Sequence, residues 1–278
     1  MYWLKYLLKE PFHILTNKDY RQFLSLCFQY GDQPRFANKR VSFGSYKLEV
    51  PDCMSFLWQF KEIFADHSYK FSCDSTNPII IDCGANIGMS ILYYKQLFPN
   101  SEITAFEASP TIAKLLKSNL AANNITDVNL IENAVWTDEE GIWFANEAAD
   151  SSSMFLGGQK ILVPSIKLSN FLKTKSKIDF LKMDIEGAET EVLKDCRFDL
   201  KHVENIFVEF HSYIDHYQSL STVLQVLEEN GFRYLIDTEQ HRKSPFINHR
   251  YRDNEVMDLQ INIFGYRPRP KDKIQNQL

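Results

Sequence analysis

The chain has 278 residues, of which 44% are hydrophobic and 24% charged, so it is neither a disordered chain, a collagen-like chain nor a disulfide-stapled miniprotein. Its length allows one large domain or two small ones. The formal net charge of -5 argues against a nucleic-acid partner, because binding to phosphates requires an excess of Lys and Arg.

Residues 1–9, MYWLKYLLK, are too short and too interrupted by lysines for a signal peptide, and no run of 18 apolar residues predicts a transmembrane helix. We expect this segment to form a helix docked on the protein itself or on a partner. Its aromatic residues and lysines are also compatible with contact to a membrane surface. The five cysteines are far apart and form no C-x-x-C pair, which predicts free thiols, no structural zinc and a cytoplasmic location.

Residues 1–77 are interpreted as an N-terminal accessory region made of a helix, a hairpin and a helix. Asp19 is the expected cap of a first helix that ends at Gly31. Alternating apolar residues over 41–50 surround Gly44-Ser45, which predicts a hairpin with a two-residue turn. The apolar spacing over 56–64 predicts the second helix.

Residues 78–266 alternate between strand and helix patterns and form the second predicted domain. Strands alternating with helices predict a mostly parallel sheet with helices on both faces, and such sheets bind ligands at the carboxyl ends of their strands. The seven predicted core strands are 78–82, 102–107, 128–132, 178–184, 205–211, 232–237 and 259–266.

Three segments interrupt this pattern. We expect a small hairpin of 142–145 with 161–163 around a polar loop at 146–153, and a polar stretch at 239–257. Both polar segments are predicted to flank the substrate site. Arg242, Arg250 and Arg252 in the second suggest an anionic or sugar-phosphate substrate, and a solvated charged loop is the alternative. The charged residues 267–278 are predicted to be a disordered tail.

The loop Asp82-Cys-Gly84-Ala-Asn86-Ile-Gly88 joins the first core strand to its helix. The two glycines allow a sharp turn and the close approach of a ligand. Glu107 ends the next strand, where a carboxylate can accept hydrogen bonds from both hydroxyls of a ribose. The pattern therefore predicts a ligand that carries a nucleoside.

The identity of that nucleoside follows from spacing and charge. The loop has G-x-x-x-G spacing and lacks the G-x-G-x-x-G of dinucleotide sites. Asp82 would repel a pyrophosphate and favour a cationic ligand. S-adenosylmethionine carries a ribose, an ammonium and a sulfonium, so the pattern favours this methyl donor over NAD.

Polar residues also cluster at the ends of the fourth and fifth core strands. Lys182 and Asp184 form an expected ion pair, and Glu186 and Glu189 follow in the turn. Glu209 and His211 share one face of the fifth strand near the same edge of the sheet. His211 is a candidate general base, and a structural role is the equally weighted alternative.

The DCGANIG loop, Glu107 and the run LKMDIEGAETEVL resemble the FkbM-type S-adenosylmethionine-dependent methyltransferases over about residues 78–266. The resemblance implies the class I methyltransferase fold, which is Rossmann-like with seven strands of which the last is antiparallel. It also implies methylation of hydroxyl groups on sugars or secondary metabolites. The residues implied to hold the donor are Asp82, Gly84, Ala85, Asn86, Gly88, Glu107 and Ala108.

A hydroxyl acceptor needs a base within hydrogen-bond reach. His211 is the first choice for this base and Glu186 the second, with Asp184 orienting the donor or acceptor. Asp184 and Glu186 could together hold a divalent metal, but the sequence shows no clear third ligand, so no metal is predicted.

Two alternatives to a methyltransferase stay open at this point. They are an NAD-dependent oxidoreductase and a non-catalytic scaffold that retains the fold. The expected partner is a small-molecule or glycan acceptor, and the sequence decides neither the methylated position nor the oligomeric state.

Overall fold

The computed structural model describes residues 16–145, 160–238, 242–251 and 256–268. The elements in chain order are α1 (Lys18–Tyr30), β1 (Lys39–Phe43), β2 (Tyr46–Val50), α2 (Cys53–Phe60), β3 (Ile79–Cys83), α3 (Met89–Leu97), β4 (Glu102–Phe106), α4 (Pro110–Ala122), β5 (Val128–Ile131), β6 (Ala134–Trp136), β7 (Ile142–Ala145), β8 (Lys160–Val163), β9 (Ser165–Lys167), α5 (Leu168–Lys173), β10 (Ile178–Met183), α6 (Glu189–Asp195), β11 (Val203–Tyr213), α7 (Leu220–Glu229), β12 (Arg233–Asp237) and β13 (Met257–Tyr266).

The central sheet has seven strands in the order β12-β13-β11-β10-β3-β4-β5. The pairs from β11 to β5 are parallel, and β13 runs antiparallel between β11 and β12. This is the predicted seven-stranded, mostly parallel fold with an antiparallel last strand. The strand order reverses between β3 and β10, so their carboxyl ends open a crevice there.

Both faces of the sheet are covered, as the burial of every residue in a central strand such as β10 requires. All six residues of β10 are buried. Alternate strand residues point to opposite faces. Ile80 and Phe180 belong to the cluster beneath α3, α4 and the N-terminal region, whereas Ile81 and Leu181 belong to the cluster beneath α5, α6 and α7.

The N-terminal region packs on the first of these faces. Phe43 contacts Phe60 and Phe64 with ring centroids 5.1 and 4.9 Å apart, and Phe64 contacts Tyr93 of α3 at 5.2 Å. Asn119 of α4 then fixes β2 in a two-way exchange. It accepts from the backbone N–H of Glu49 at 2.8 Å and donates to the carbonyl of Glu49 at 3.0 Å.

The hairpin β1–β2 has its turn at Gly44-Ser45, as predicted, with Phe43 opposite Tyr46. The predicted cap of α1 is wrong. Asn17 caps the helix, because its side-chain oxygen accepts from the backbone N–H of Asp19 at 2.9 Å and of Tyr20 at 3.0 Å. Asn is as good an N-cap as Asp, and the helix starts one residue after it.

A π-helical turn, Lys61–Ala65, extends α2 and was not predicted. The short helix α5 and the parallel pair β6–β9 were not predicted either. The small hairpin β7–β8 pairs as expected. Among the described residues, no helix is long and apolar enough to cross a membrane. The predictions for 1–9, 146–153, Arg252 and residues 269–278 of the tail lie outside the described residues.

Candidate active site

The glycine loop after β3 requires glycine at its first position. Gly84 has φ +86°, and a Cβ atom there would lie 1.8 Å from the backbone oxygen of Asp184. The N–H groups of Gly84 and Ala85 both donate to the carbonyl of Phe106, at 3.0 and 2.9 Å. The loop is thus packed tightly between the ends of β4 and β10.

The second half of the loop also has backbone in the left-handed region. Asn86 has φ +48° and Gly88 has φ +96°. A Cβ atom at Gly88 would lie 2.6 Å from a methyl group of Leu116 in α4. The backbone therefore turns against α4 and leads directly into α3.

Glu107 lies directly after β4 and is anchored by two backbone N–H groups. One carboxylate oxygen accepts from Asn86 at 2.9 Å and the other from Ser109 at 2.9 Å. Burial raises the pKa of Glu107 to about 7, although these two hydrogen bonds act in the opposite direction. Each oxygen keeps a second lone pair for a ligand hydroxyl.

Asp82 lies beneath the loop and is fully buried. One of its carboxylate oxygens accepts from the Ser90 hydroxyl at 2.5 Å, and the other lies 3.5 Å from the Lys182 ammonium. Lys182 also donates to the carbonyl of Gly84 at 2.8 Å and to Asp184 at 3.1 Å. Although burial alone lowers the pKa of Lys182, Asp184 and Asp82 raise it overall, so this residue stays charged.

The expected Lys182–Asp184 ion pair is therefore present, and Lys182 also neutralises Asp82. Burial raises the pKa of Asp82, and the nearby ammonium opposes that shift. The arrangement fixes the loop to β10 from below. The carboxylate of Asp82 thus supports the loop, and it does not line the cleft described next.

A cleft of about 210 Å³ opens at the carboxyl ends of β3, β10 and β11. Its opposite wall comes from the N-terminal region, which supplies Ser55, Trp58 and Gln59 of α2 and Glu62 of the π-helical turn. The floor and near wall consist of loop and strand-end residues, namely Gly84, Ala85, Asn86, Met89, Ser90, Lys182, Asp184, Glu186, Glu209 and Gln260. Carboxylates outnumber cations here, so the cleft favours a cationic ligand.

His211 lies beside this cleft, with its side chain 2% exposed. Its Nδ1 is 3.1 Å from a carboxylate oxygen of Glu189. Its Nε2 is 3.8 Å from Glu186 and 3.9 Å from Glu209. Burial alone lowers the pKa of His211, but Glu189 and Glu186 outweigh it and raise that pKa well above its ordinary value.

Glu209 lies next to the imidazole of His211, with its side chain 12% exposed. Burial, together with the carboxylates of Asp184 and Glu62, raises its pKa well above the ordinary value. Gln260 on β13 donates a hydrogen bond to it. The expected proximity of Glu209 and His211 is present, but Glu189 makes the hydrogen bond to the ring.

The structure brings together the predicted loop residues, and separately Asp184, Glu186 and His211. Of the predicted arginines, the two that the structure describes, Arg242 and Arg250, do not line the cleft. Arg242 donates to the backbone carbonyls of His249 and Asp258, so it braces its own loop. Arg250 is exposed and does not line the cleft.

Sequence reasoning missed the wall formed by α2 and the π-helical turn. No local signal marks Glu62, because its position depends on a contact 200 residues away, where Asn262 donates to its carboxylate at 2.9 Å. Glu189 was named only as an acid that favours the helix dipole. It accepts from the backbone N–H of Ile185 and of Gly187 at 3.1 and 3.0 Å, in addition to its contact with His211.

Residues 82–234, more than half of the chain, match the family described as the methyltransferase FkbM domain. The chain belongs to this family. The FkbM assignment confirms the resemblance seen in the sequence, and it supports a methyltransferase over an NAD-dependent oxidoreductase.

Similar proteins carry related names. Methyltransferase sdnD of Sordaria araneosa is 33% identical over 190 residues, covering 54% of this chain and 73% of the relative. The 31-O-demethyl-FK506 methyltransferase FkbM of Streptomyces tacrolimicus is 23% identical over 220 residues, covering 65% and 83%. Among solved structures, methyltransferase FkbM of Methylobacillus flagellatus KT has a TM-score of 0.46 at 12% identity, over 89% of this chain and 59% of that one.

The residues present fit S-adenosylmethionine. The loop has no room for a side chain at Gly84, which packs against Asp184, or at Gly88, which packs against Leu116, so its backbone is held in one conformation beside the cleft. The side-chain oxygen of Asn86 is buried without a hydrogen-bond partner. Glu107 has free lone pairs for ribose hydroxyls, and the cleft beside the loop is rich in carboxylates.

Proposed function

We propose that the protein transfers a methyl group from S-adenosylmethionine to a hydroxyl of a small-molecule or glycan acceptor. The main support for this proposal is the position of Glu107. Backbone N–H groups hold its carboxylate in place next to a glycine loop that has no room for side chains at Gly84 and Gly88. A hydroxyl acceptor is supported by the name of one relative, a 31-O-demethyl-FK506 methyltransferase.

The donor side of the site is assigned to the loop. Glu107 accepts hydrogen bonds from the ribose. The donor also lies against Gly84, Ala85 and Asn86, which line the cleft. Gly88 and Ala108 do not line it, and they are assigned to the donor from the sequence motif. Asp82 acts through Lys182 and Ser90, which hold the loop in place. When bound, S-adenosylmethionine supplies a methyl group on a positively charged sulfur.

The acceptor side is assigned to the cleft. Trp58 and Gln59 of α2 form the wall that meets the acceptor, and this wall reduces the access of water. Aligning a hydroxyl oxygen against the methyl carbon in such a site removes much of the entropic barrier to the reaction. Two groups next to the cleft can hold the hydroxyl proton, the carboxylate of Glu186 and Nε2 of His211. Because Glu189 and Glu186 raise the pKa of His211, its Nε2 accepts a proton only in molecules whose ring is neutral.

Calorimetric titration of the wild-type protein with S-adenosylhomocysteine and, separately, with NAD tests this function. We expect saturable binding of S-adenosylhomocysteine at one site per chain and no binding of NAD. Binding of NAD alone would replace the proposal with an oxidoreductase. The absence of binding for both ligands, in a protein that unfolds cooperatively, would indicate a scaffold.

A further inference from the structure

Three potential metal ligands meet at the carboxyl edge of the sheet. Asp184 and Glu186 follow β10, and His211 lies on the neighbouring strand β11. One ligand atom from each residue lies within 4.8 Å of the other two. The parallel register explains this meeting, because Met183 pairs with Val208 and the following residues of both strands reach the same edge.

His211 has the environment of a metal-binding histidine. Its Nδ1 lies 3.1 Å from a carboxylate oxygen of Glu189. Because a carboxylate can only accept a hydrogen bond, we assign the hydrogen of this bond to Nδ1. Its Nε2 is then directed at the cluster, 3.8 Å from Glu186 and 3.9 Å from Glu209, beyond hydrogen-bond distance of both. A metal-binding histidine commonly donates its other ring N–H to a carboxylate in this way.

Glu189 is itself held rigidly. The oxygen that faces His211 also accepts from the backbone N–H of Ile185 and of Gly187, in the turn that carries Glu186. This single carboxylate therefore orients both the imidazole and the turn. Such support reduces the freedom of two of the three ligands before any ion binds.

The negative charge at this edge of the sheet also favours binding of a cation. Asp184, Glu186 and Glu189 lie together with side chains 24%, 29% and 1% exposed, and the nearby ammonium of Lys182 is already shared with Asp82 and the carbonyl of Gly84. Carboxylates shielded from water are stable in proteins when they are paired or bind a metal ion.

We propose that Asp184, Glu186 and His211 bind a divalent metal ion, with Glu189 as the residue that positions His211. Two carboxylates and one imidazole suit a cation such as Mn²⁺ that accepts both oxygen and nitrogen ligands. Three protein ligands leave coordination positions open toward the cleft. An acceptor hydroxyl bound there would lose its proton more readily, and this role, unlike ion binding itself, rests on the proposed function.

The sequence around Asp184 and Glu186 contains no evident third ligand. The structure supplies His211 as that ligand, and it does so from a different strand. His211 is also the first candidate for the general base. An ion-binding experiment separates the two roles, because only a metal ligand contributes to the affinity for the ion.

Mn²⁺ binding is measured by electron paramagnetic resonance of free Mn²⁺ in the full-length protein, first stripped with a chelator and free of methyl donor. We expect one saturable site per chain. Glu186→Gln, in which a 29% exposed side chain changes, keeps the fold and removes this site. Glu189→Gln weakens binding by about 10- to 100-fold, the usual effect of losing a supporting carboxylate.

Glu191→Gln is the matched control. Glu191 lies on α6, the helix of Glu189, and its side chain is 54% exposed and pairs with Lys194. It binds Mn²⁺ like the wild type. The proposal is overturned if the wild type has no saturable site, or if Glu186→Gln and Glu191→Gln bind equally well. Titration with S-adenosylhomocysteine separates the two proposals, since a chain that binds the nucleoside but no Mn²⁺ contradicts only the metal site.

Discussion

The side-chain ammonium of Lys182 donates a hydrogen bond to the backbone carbonyl of Gly84 at 2.8 Å, so a residue of β10 holds the loop that follows β3. The same ammonium lies 3.1 Å from Asp184 and 3.5 Å from Asp82. Its side chain is 3% exposed. One buried cation thus connects the donor loop to the end of the neighbouring strand.

Replacing Lys182 with Met should strongly destabilise the protein. The variant leaves the buried carboxylate of Asp82 without its cation, and breaking a buried pair in this way costs about 3–5 kcal/mol. Chemical denaturation measures the change in the free energy of unfolding. Lys175→Met is the control, because its partner Glu102 is 60% exposed and such pairs contribute about 0–1 kcal/mol. Equal effects of the two substitutions would contradict the role of Lys182.

Gly84→Ala should abolish binding of S-adenosylhomocysteine and destabilise the fold. The new Cβ atom would lie 1.8 Å from the carbonyl oxygen of Asp184, and φ is +86°. Gly44→Ala is the matched control, because φ is +53° there but no atom lies within 4 Å of the new Cβ. We expect a loss of only about 1–2 kcal/mol for this control, from backbone strain alone. Calorimetry and thermal unfolding of both variants provide the comparison.

Glu107 should make stability depend on pH. Its pKa in the folded protein is about 7, against an ordinary 4.5, because burial disfavours the charged form; Lys182 lowers this pKa slightly and Asp82 raises it. The folded state therefore binds the proton more tightly, and its stabilising contribution, complete below pH 4.5, is lost as pH rises toward 7. The loss is on the order of 3 kcal/mol.

The Glu107→Gln variant isolates this effect, because it keeps the shape of the side chain and cannot ionise. The difference in unfolding free energy between wild type and variant should shift in favour of the variant as pH rises through this interval. A constant difference would show that Glu107 has an ordinary pKa.

Much of the fold could be predicted, because each core strand is a short apolar run between helices with clear periodicity. The predicted strand 178–184 and the observed β10 differ by one residue at the end. The N-cap of α1 was misplaced because Asn17 and Asp19 are both good caps, and only the hydrogen bonds decide between them. Helix α5 has six residues and no side-chain cap, so its sequence signal is weak.

The candidate site could be predicted only where it is local in sequence. The loop and Glu107 follow from spacing along β3 and β4. The environment of His211 depends on the register between β10 and β11 and on Glu189 in the next helix, and spacing along one strand carries neither. Likewise Glu62 reaches the cleft through a contact between the N-terminal region and β13.

His211→Ala should lower kcat by about 100-fold or more and leave the affinity for S-adenosylhomocysteine little changed, whether the residue serves as base or as metal ligand. The two roles are separated by Mn²⁺ affinity, which falls only if His211 is a ligand. Unchanged kcat in a folded variant would contradict His211 as base and any catalytic role of the ion, and it would transfer the proton-accepting role to Glu186; Mn²⁺ binding by His211 would be judged by the affinity alone.

The assignment of the donor site to Glu107 is tested most directly by the dissociation constant of S-adenosylhomocysteine for wild type, Glu107→Ala and Glu132→Ala. Glu132 follows β5 at the same edge, but it is exposed and pairs with Lys117. Loss of two charge-assisted hydrogen bonds predicts binding about 100-fold weaker or more for Glu107→Ala, with Glu132→Ala unchanged. A Glu107→Ala protein that binds the ligand as tightly as wild type would contradict the assignment of the donor site.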